Sequence, residues 1–444
     1  MILIQRKELE MLDKLAVELN ETLDTSVAGA FLSGFGRRIF FPKGIVAQSA
    51  EAGAKAKKYN ATVGLARSKG QPMYLSDIYS AFCDDGLKPN DIFSYAPGGG
   101  DRTLRALWKE EMVRKNPSLK GQTFSLPMVT GGLTHTISLV ANIFFDEGDE
   151  IVCPDLFWDN YELIFVHTRN GRMIPFSFFT EQGGFNVEGM KQALLSCRND
   201  VARIILNFPN NPTGYTPTES EMVAIRDALV EVAESGKKVL VLSDDAYFGL
   251  FFEKETAKES LFAKIANIHE NIFAIKGDAA TKEEMVWGFR VGFITYASKG
   301  FTEKHLEALS NKTLGAIRCS VSNCDRPGQS LIVKAMRDGK NYQSDKEKTF
   351  VEMEARYRVL KKVLKKYQGS RFLKPYPFNS GYFMAFDTLG HSAEELRCYL
   401  LENYSVGAIN IMDRTLRLAF CSVEKEDIAE LVDLVYKSAE ALWN

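Results

Sequence analysis

The segment "RIILNFPNNPTGYTPTESEMVAIRDALVEVAESGKKVLVLSDDAY", residues 203–247, decides the fold class. It opens on a short apolar run at 203–208 and ends on a second one at 238–245, each of a length typical of a buried strand. Between them, apolar residues recur at a helical period over 219–238, and Gly236 closes that pattern. A strand, a helix and a second strand in succession predict parallel pairing, with the helix packed on a face of the sheet.

The same alternation continues on both sides of this unit. Further apolar runs typical of buried strands lie at 150–155, 172–178, 271–278 and 291–297, with helix-like stretches between them. The sequence therefore predicts an α/β protein built on a mostly parallel sheet.

The C-terminal part has a different pattern, which predicts a second domain. Residues 343–367 form a long, charged stretch with a helical period, of the kind that commonly bridges two domains. Strand-like runs follow it, and the N-terminal segment is expected to pack with them. The predicted division is 1–75 as an N-terminal segment of the small domain, 76–343 as the large domain, and 344–444 as the C-terminal small domain.

Composition excludes several classes of function. The chain has 444 residues, of which 45% are apolar and 25% charged, and its net charge of −2 gives no field that would recruit nucleic acid or an anionic membrane. Residues 1–20 lack the apolar core of a signal peptide, and no apolar stretch is long enough to span a bilayer. Seven cysteines without a C-x-x-C pair favour a cytoplasmic protein, and five histidines without ligand spacing argue against a metal site.

Polar and aromatic residues follow the predicted strands at their carboxyl ends, where open α/β sheets bind ligands. We expect them to converge on one cleft. The set consists of the Gly131–Gly132 turn, Trp158, Asn211, Asp244, Tyr247 and Lys282.

The chemistry of this set points to one cofactor. A Gly-Gly turn that opens a helix offers backbone N–H groups to a phosphate, and Arg290 can add a bidentate contact. Trp158 can stack on a flat ring, and Asp244 can keep a ring nitrogen protonated. Lys282 can form a Schiff base with an aldehyde. A phosphorylated pyridine aldehyde, pyridoxal 5'-phosphate, meets all these requirements.

Each of these residues also has an ordinary structural interpretation. Lys282, taken alone, is typical of a solvated turn. Lys276 is a second candidate lysine, although it lies inside a predicted strand and at a different spacing from Arg290. Asp244 and Asp245 could instead cap a helix. Only the combination of residues favours a cofactor site.

Five segments resemble, in order, the fold-type I pyridoxal-phosphate aminotransferases of classes I and II, and most closely the aspartate aminotransferase group. They are "YAPGGG" (95–100), "PDLFWDNYELIF" (154–165), "NNPTG" (210–214), "DDAY" (244–247) and "KEEMVWGFRVG" (282–292). The resemblance implies a mostly parallel seven-stranded sheet flanked by helices, a smaller α+β domain and pyridoxal 5'-phosphate as cofactor. It also implies a homodimer with shared active sites.

The resemblance implies a role for each matched residue. The catalytic residues would be Lys282, which bonds to the cofactor and moves the substrate proton, Asp244, which pairs with the ring nitrogen, and Tyr247. The cofactor contacts would come from Leu133, Thr134, Trp158, Asn211, Asp244, Tyr247, Lys282 and Arg290, with Tyr95 and Ser322 reaching the phosphate in the neighbouring subunit. The substrate contacts would come from Arg417, Asn211, Arg318 and Ala66.

Two positions depart from the family pattern. Ala279 stands where the family usually has a phosphate-binding serine, three residues before the lysine, and the hydroxyl nearby belongs to Thr281. Ala66 stands where a glycine is common in the N-terminal substrate segment.

The predicted activity is ping-pong transamination between an amino acid and a 2-oxo acid. Arg318 favours aspartate or glutamate, because a guanidinium suits a distal carboxylate. Aromatic or neutral substrates are an alternative, as is a lyase or decarboxylase on the same cofactor. A nicotinamide-dependent dehydrogenase is disfavoured, since no G-x-G-x-x-G follows a first strand.

Overall fold

The computed structural model describes residues 12–24, 34–38, 44–82 and 87–444. The strands are β1 (Tyr59–Asn60), β2 (Arg67–Ser68), β3 (Gln71–Pro72), β4 (Met128–Thr130), β5 (Glu150–Pro154), β6 (Arg172–Phe176), β7 (Val201–Asn207), β8 (Lys238–Asp244), β9 (Ile272–Ala279), β10 (Gly292–Ala297), β11 (Lys374–Pro375), β12 (Phe383–Asp387), β13 (Val406–Gly407), β14 (Ile409–Ile411) and β15 (Thr415–Ala419).

The helices complete the chain order. They are α1 (Lys14–Asp24), α2 (Gly34–Arg38), α3 (Ile45–Lys55), α4 (Ser76–Ser80), α5 (Pro89–Phe93), α6 (Arg102–Lys115), α7 (Leu133–Phe144), α8 (Asn160–Glu162), α9 (Val187–Ser196), α10 (Glu219–Glu234), α11 (Leu261–Ile265), α12 (Ala280–Glu283), α13 (Glu303–Ser320), α14 (Pro327–Asp338), α15 (Tyr342–Leu364), α16 (Ala393–Tyr404) and α17 (Ile428–Trp443).

A seven-stranded sheet in the order β4-β10-β9-β8-β7-β5-β6 forms the centre of the large domain. The strands from β5 to β9 pair in parallel, and β10 runs antiparallel to both of its neighbours. Helix α7 packs against β9 and β10, while α10 packs against β8. The predicted α/β class with a mostly parallel seven-stranded sheet is therefore confirmed.

Local sequence signals set the ends of α10. Thr218 accepts a hydrogen bond from the Glu221 amide, and the Glu221 carboxylate accepts one from the Thr218 amide at 2.7 Å, which together form a capping box. The helix ends at Glu234, and Gly236 adopts a φ of 99° that turns the chain into β8. The helix predicted at 219–238 is thus present, with its end four residues earlier.

The small domain contains a four-stranded antiparallel sheet in the order β11-β12-β15-β14. Part of the N-terminal segment joins it, because β1 pairs in parallel with β13 and the side chain of Gln48 on α3 bonds the backbone of Asn410 in both directions. These contacts favour the predicted division at residues 75 and 343, which stays a prediction. Residues 1–11, 25–33 and 39–43 of the predicted N-terminal segment lie outside the described residues.

Helix α15 links the two parts of the chain. Its 23 residues include buried apolar side chains that pack against α17, and its other face is charged. Within the described ranges, no helix combines the length and apolarity needed to cross a bilayer.

One fully buried arginine on α15 ties this helix to two other segments. The Arg356 guanidinium donates hydrogen bonds to the Cys421 carbonyl at 2.6 Å and to the Arg67 carbonyl at 2.5 Å. It also pairs with Glu352 and Glu424 at 3.0 and 3.3 Å. A buried charge is tolerated only when such partners satisfy it.

We expect Arg356→Leu to lower the free energy of unfolding by about 3 kcal/mol, because it leaves buried carbonyl oxygens without donors. Chemical denaturation followed by circular dichroism measures the effect. The control is Arg358→Leu on the same helix, where the side chain is 51% exposed and the expected loss is below about 1 kcal/mol. Equal losses in both variants would contradict the role given to burial.

Candidate active site

A cleft of ≈ 120 Å³ opens at the carboxyl ends of the parallel strands. It contains every residue that was predicted to contact a cofactor from within this chain, together with three that were not in that set, Asn207, Ala246 and Thr281. The lining residues are Leu133, Thr134, Trp158, Asn207, Asn211, Asp244, Ala246, Tyr247, Thr281, Lys282 and Arg290.

One end of the cleft is built for an anion. Gly132 precedes α7 with a φ of 89°, and a Cβ at this position would lie 2.4 Å from Nη2 of Arg290. A glycine is therefore required for Arg290 to pack on the turn. The Thr281 hydroxyl is buried beside them without a hydrogen-bond partner. Backbone amides at a helix start, a guanidinium and a free hydroxyl together favour a phosphate.

A carboxylate occupies another part of the cleft. Asp244, the last residue of β8, is buried and accepts hydrogen bonds from the Tyr161 hydroxyl and from the Ala246 amide, the latter at 3.1 Å. Burial raises the pKa of Asp244 to about 6, although these hydrogen bonds and the charge of Lys282 act in the opposite direction. A cation placed beside this carboxylate would stabilise its ionised form.

Lys282 and Lys276 have different surroundings, which separates the two candidate lysines. Nζ of Lys282 lies 4.8 Å from the centre of the Tyr247 ring, and burial lowers the pKa of Lys282 to about 8. Lys276 lies in β9 and forms buried ion pairs with Asp245 and, at 2.9 Å, with Asp278. Burial acts to lower the pKa of Lys276, but the two carboxylates outweigh it and raise that pKa. Lys276 is therefore held in the core as a cation.

Arg417 brings a buried guanidinium from the small domain to Asn211. Its Nη1 donates to Oδ1 of Asn211 and its Nη2 to the Thr62 carbonyl, both at 2.8 Å, and the guanidinium stands 4.3 Å from the centre of the Phe383 ring. Its Nε has no partner. Ala66 is buried, but the N-terminal segment reaches the arginine through Thr62.

Asn207 and Tyr161 are site residues that the sequence interpretation missed. The Asn207 side chain donates to the Asp244 carbonyl at 2.8 Å and accepts from the Asn211 amide at 2.7 Å, so it joins two strand ends. Its position as a polar residue at the end of a buried strand was the available signal. Tyr161 lies three residues after Trp158 in a segment already singled out.

Five predicted site residues are absent from the lining of this cleft. Arg417 reaches it through its bond to Asn211 and Ala66 is buried, whereas Tyr95, Arg318 and Ser322 lie elsewhere on the chain. Tyr95 is 89% exposed, and Arg318 at the end of α13 donates to the Ser322 hydroxyl. Asn323 donates to the Ala96 carbonyl at 2.8 Å, which holds the two loops together. The side chains of Tyr95 and Arg318 are both exposed, and that of Ser322 is half-buried.

The donor set of the cleft fits pyridoxal 5'-phosphate. The anion site matches the phosphate, and the Asp244 carboxylate matches a ring nitrogen that carries a proton. Lys282 supplies an amine in the same cleft, 4.8 Å from the centre of the Tyr247 ring. The unpartnered hydroxyl of Thr281 is a buried donor that a phosphate oxygen would satisfy.

Comparison with known sequences agrees with this chemistry. Residues 77–435 match the family described as aminotransferase class I and II. The chain is 25% identical over 354 residues to a probable aspartate/prephenate aminotransferase of Aquifex aeolicus, which covers 77% of this chain and 81% of that protein. It is 27% identical over 229 residues to an aspartate aminotransferase of Geobacillus stearothermophilus, which covers 49% of this chain and 53% of that protein.

Solved structures share the fold. An aminotransferase from Anaerococcus prevotii superposes with a TM-score of 0.80 at 24% identity, covering 90% of this chain and 97% of that one. The Pyrococcus horikoshii kynurenine aminotransferase gives a TM-score of 0.76 at 17% identity, covering 95% and 100%.

The lowered pKa of Lys282 has a direct chemical consequence. In cofactor-free protein we expect its acetylation by acetic anhydride to reach half of its maximal rate near pH 8, because burial lowers the pKa to about 8 and the neutral amine is the nucleophile. Mass spectrometry of the peptides reports the rate at each lysine. Lys276 should stay unmodified at the same pH, since two carboxylates hold it as a cation. A Lys282 profile matching that of exposed Lys69 would contradict the expectation.

Proposed function

The chain belongs to the class I and II aminotransferases, enzymes that depend on pyridoxal 5'-phosphate, and from this we propose that it moves the amino group of aspartate or glutamate to a 2-oxo acid by a ping-pong mechanism. One observation supports the proposal above all. Lys282, whose pKa is lowered, and buried Asp244 line a single cleft, and the buried guanidinium of Arg417 bonds to Asn211 in its wall.

Bound pyridoxal 5'-phosphate supplies an electron-withdrawing ring that makes the bonds at the substrate α-carbon more easily broken. Lys282 is the proposed attachment point and proton carrier. With a pKa of about 8, its Nζ can release and accept a proton near neutral pH. Asp244 is proposed to hold the proton on the ring nitrogen, with Tyr161 and Ala246 fixing its orientation.

The remaining residues of the cleft orient and shield the reactants in this proposal. Arg290 and Thr281 hold the phosphate, and Trp158 covers the ring and excludes water. Arg417 binds the substrate α-carboxylate, for which its unpartnered Nε is a free donor, and Asn211 keeps the guanidinium in place at 2.8 Å.

We propose a homodimer in which Tyr95 and Ser322 complete the phosphate site of the neighbouring subunit. Phe93 and Tyr95 are 84% and 89% exposed. Val321, which follows Arg318 by three residues, is 48% exposed. Large apolar side chains this exposed favour association with another protein surface. We also propose a cytoplasmic location, because the chain has seven cysteines without a C-x-x-C pair.

Aromatic or neutral amino acids are the second candidate substrates. Arg318 is exposed and donates a hydrogen bond to the Ser322 hydroxyl of its own chain, so the guanidinium can turn away from an uncharged side chain. Among the sequence relatives is an aromatic-amino-acid aminotransferase of Thermococcus litoralis. A lyase or decarboxylase reaction is the alternative chemistry, and it is distinguished because it turns over without a 2-oxo acid as amino acceptor.

Asp244→Asn tests the electrostatic part of the mechanism. The amide keeps the shape but removes the charge, so the ring nitrogen loses its proton and turnover is expected to fall by roughly 10³-fold or more. Single-turnover absorbance with aspartate measures the step, and alkaline release of the cofactor measures its occupancy. If turnover is almost unchanged at full occupancy, Asp244 has only a structural role.

Arg318→Leu tests the substrate class. Loss of a desolvated charge pair should cost about 2–5 kcal/mol of transition-state binding for aspartate, with little effect on alanine or phenylalanine. The measurement compares kcat/KM for the three substrates. Arg371→Leu, an exposed arginine bonded to Asn444, serves as the matched control. Equal losses on all three substrates, or none on aspartate, would remove Arg318 from the site.

A further inference from the structure

His135 makes two contacts that join the anion end of the cleft to a neighbouring helix. It lies in the first turn of α7, three residues after Gly132, and is half-buried. Its Nδ1 accepts a hydrogen bond from the Gly131 amide at 2.9 Å. Its Nε2 lies 3.2 Å from the hydroxyl of Ser320 at the end of α13.

These contacts define the protonation state of the ring. The Gly131 amide can only donate, so Nδ1 carries no proton. The Ser320 hydroxyl donates to the Ala316 carbonyl at 2.8 Å, which leaves its oxygen to accept from Nε2–H. The structure therefore requires a neutral imidazole with its proton on Nε2.

We infer that His135 is a positioning residue for the cofactor. Its neutral ring bonds both the Gly131 amide and the Ser320 hydroxyl. These two bonds fix the turn that presents Gly132 and Leu133 to the phosphate. The inference rests on the proposed function, since the phosphate contact of the turn belongs to that proposal. His135 is not among the residues that line the cleft, and it acts through the backbone of the turn.

Protonation of the ring would break this arrangement. A proton on Nδ1 would face the Gly131 N–H, and two donors cannot bond to each other. Burial lowers the pKa of His135, so the contact is complete at neutral pH and is lost as pH falls through a value below the usual imidazole range. Charged side chains near the two contacts of the ring are Arg290, which packs against Gly132, and Arg318, two residues before Ser320 on α13, and both are present in every variant compared below.

A pH profile of the natural protein alone does not isolate this effect. The cofactor phosphate changes its charge near pH ~6, and the pKa of Asp244 is raised to about 6 by burial. The difference between matched variants removes these two contributions, which are common to both proteins. A protonated ring would also attract the bound phosphate, and the inference is that loss of the Gly131 contact outweighs this attraction.

The experiment uses two replacements of His135 in the full chain. In His135→Asn, Oδ1 takes the place of Nδ1 as acceptor for Gly131 and does not titrate, whereas His135→Leu offers no acceptor. The dissociation constant of pyridoxal 5'-phosphate is measured by equilibrium dialysis between pH 5 and 8.5. At pH 8 we expect the Leu variant to bind about tenfold more weakly than the natural protein and the Asn variant to bind nearly as well.

The decisive readout is the ratio of the two affinities as pH falls. The natural protein should lose affinity relative to His135→Asn in a single-proton step centred below pH ~6.5. His305→Asn is the control, because His305 also accepts a backbone N–H at Nδ1, from Thr302 at 3.0 Å, but lies outside the cleft. Its profile should follow that of the natural protein.

Two results would overturn the inference. Parallel pH profiles for the natural protein and His135→Asn would show that the ring charge does not affect the turn, and equal binding by the Leu variant would show that no acceptor is required. A natural protein that binds no pyridoxal 5'-phosphate at any pH would instead contradict the proposed function itself, so the two failures are distinguishable.

Discussion

The alignment of three parallel strand ends is the constraint on which the site depends. In the register of the sheet, Asn207 at the end of β7 pairs with Asp244 at the end of β8, and Asp244 pairs with Gly277 of β9. The carboxyl ends of these strands therefore lie side by side, and the chain beyond each one enters the same cleft. A shift of one residue in any of these pairings would turn the Asp244 side chain to the opposite face.

Burial at this edge gives the site its chemical character. It raises the pKa of Asp244 to about 6 and lowers that of Lys282 to about 8, so each group is held nearer to neutrality than it would be in water. A separate charged cluster lies in the core, where Lys276 forms ion pairs with both Asp245 and Asp278. The two lysines thus differ because one has carboxylate partners within bonding distance and the other faces an open cleft.

Local patterns in the sequence were sufficient for the sheet, for α10 and for the residues that follow strand ends. They failed where a contact depends on distant parts of the chain. Thr62 reaches Arg417 because β1 pairs with β13, some 350 residues later, and no local signal indicated that Thr62 rather than Ala66 would make this contact. Tyr95 and Arg318 were recognised only by resemblance, and a single chain does not bring them to its own cleft.

The most direct test of the account is the identity of the lysine that bonds to the cofactor. The natural protein loaded with pyridoxal 5'-phosphate is reduced with borohydride, digested and mapped by mass spectrometry, with the Lys282→Ala variant treated in parallel. The account predicts one added cofactor mass on Lys282 and none in the variant. A modification at Lys276, or at a surface lysine with Lys282 unmodified, would contradict it.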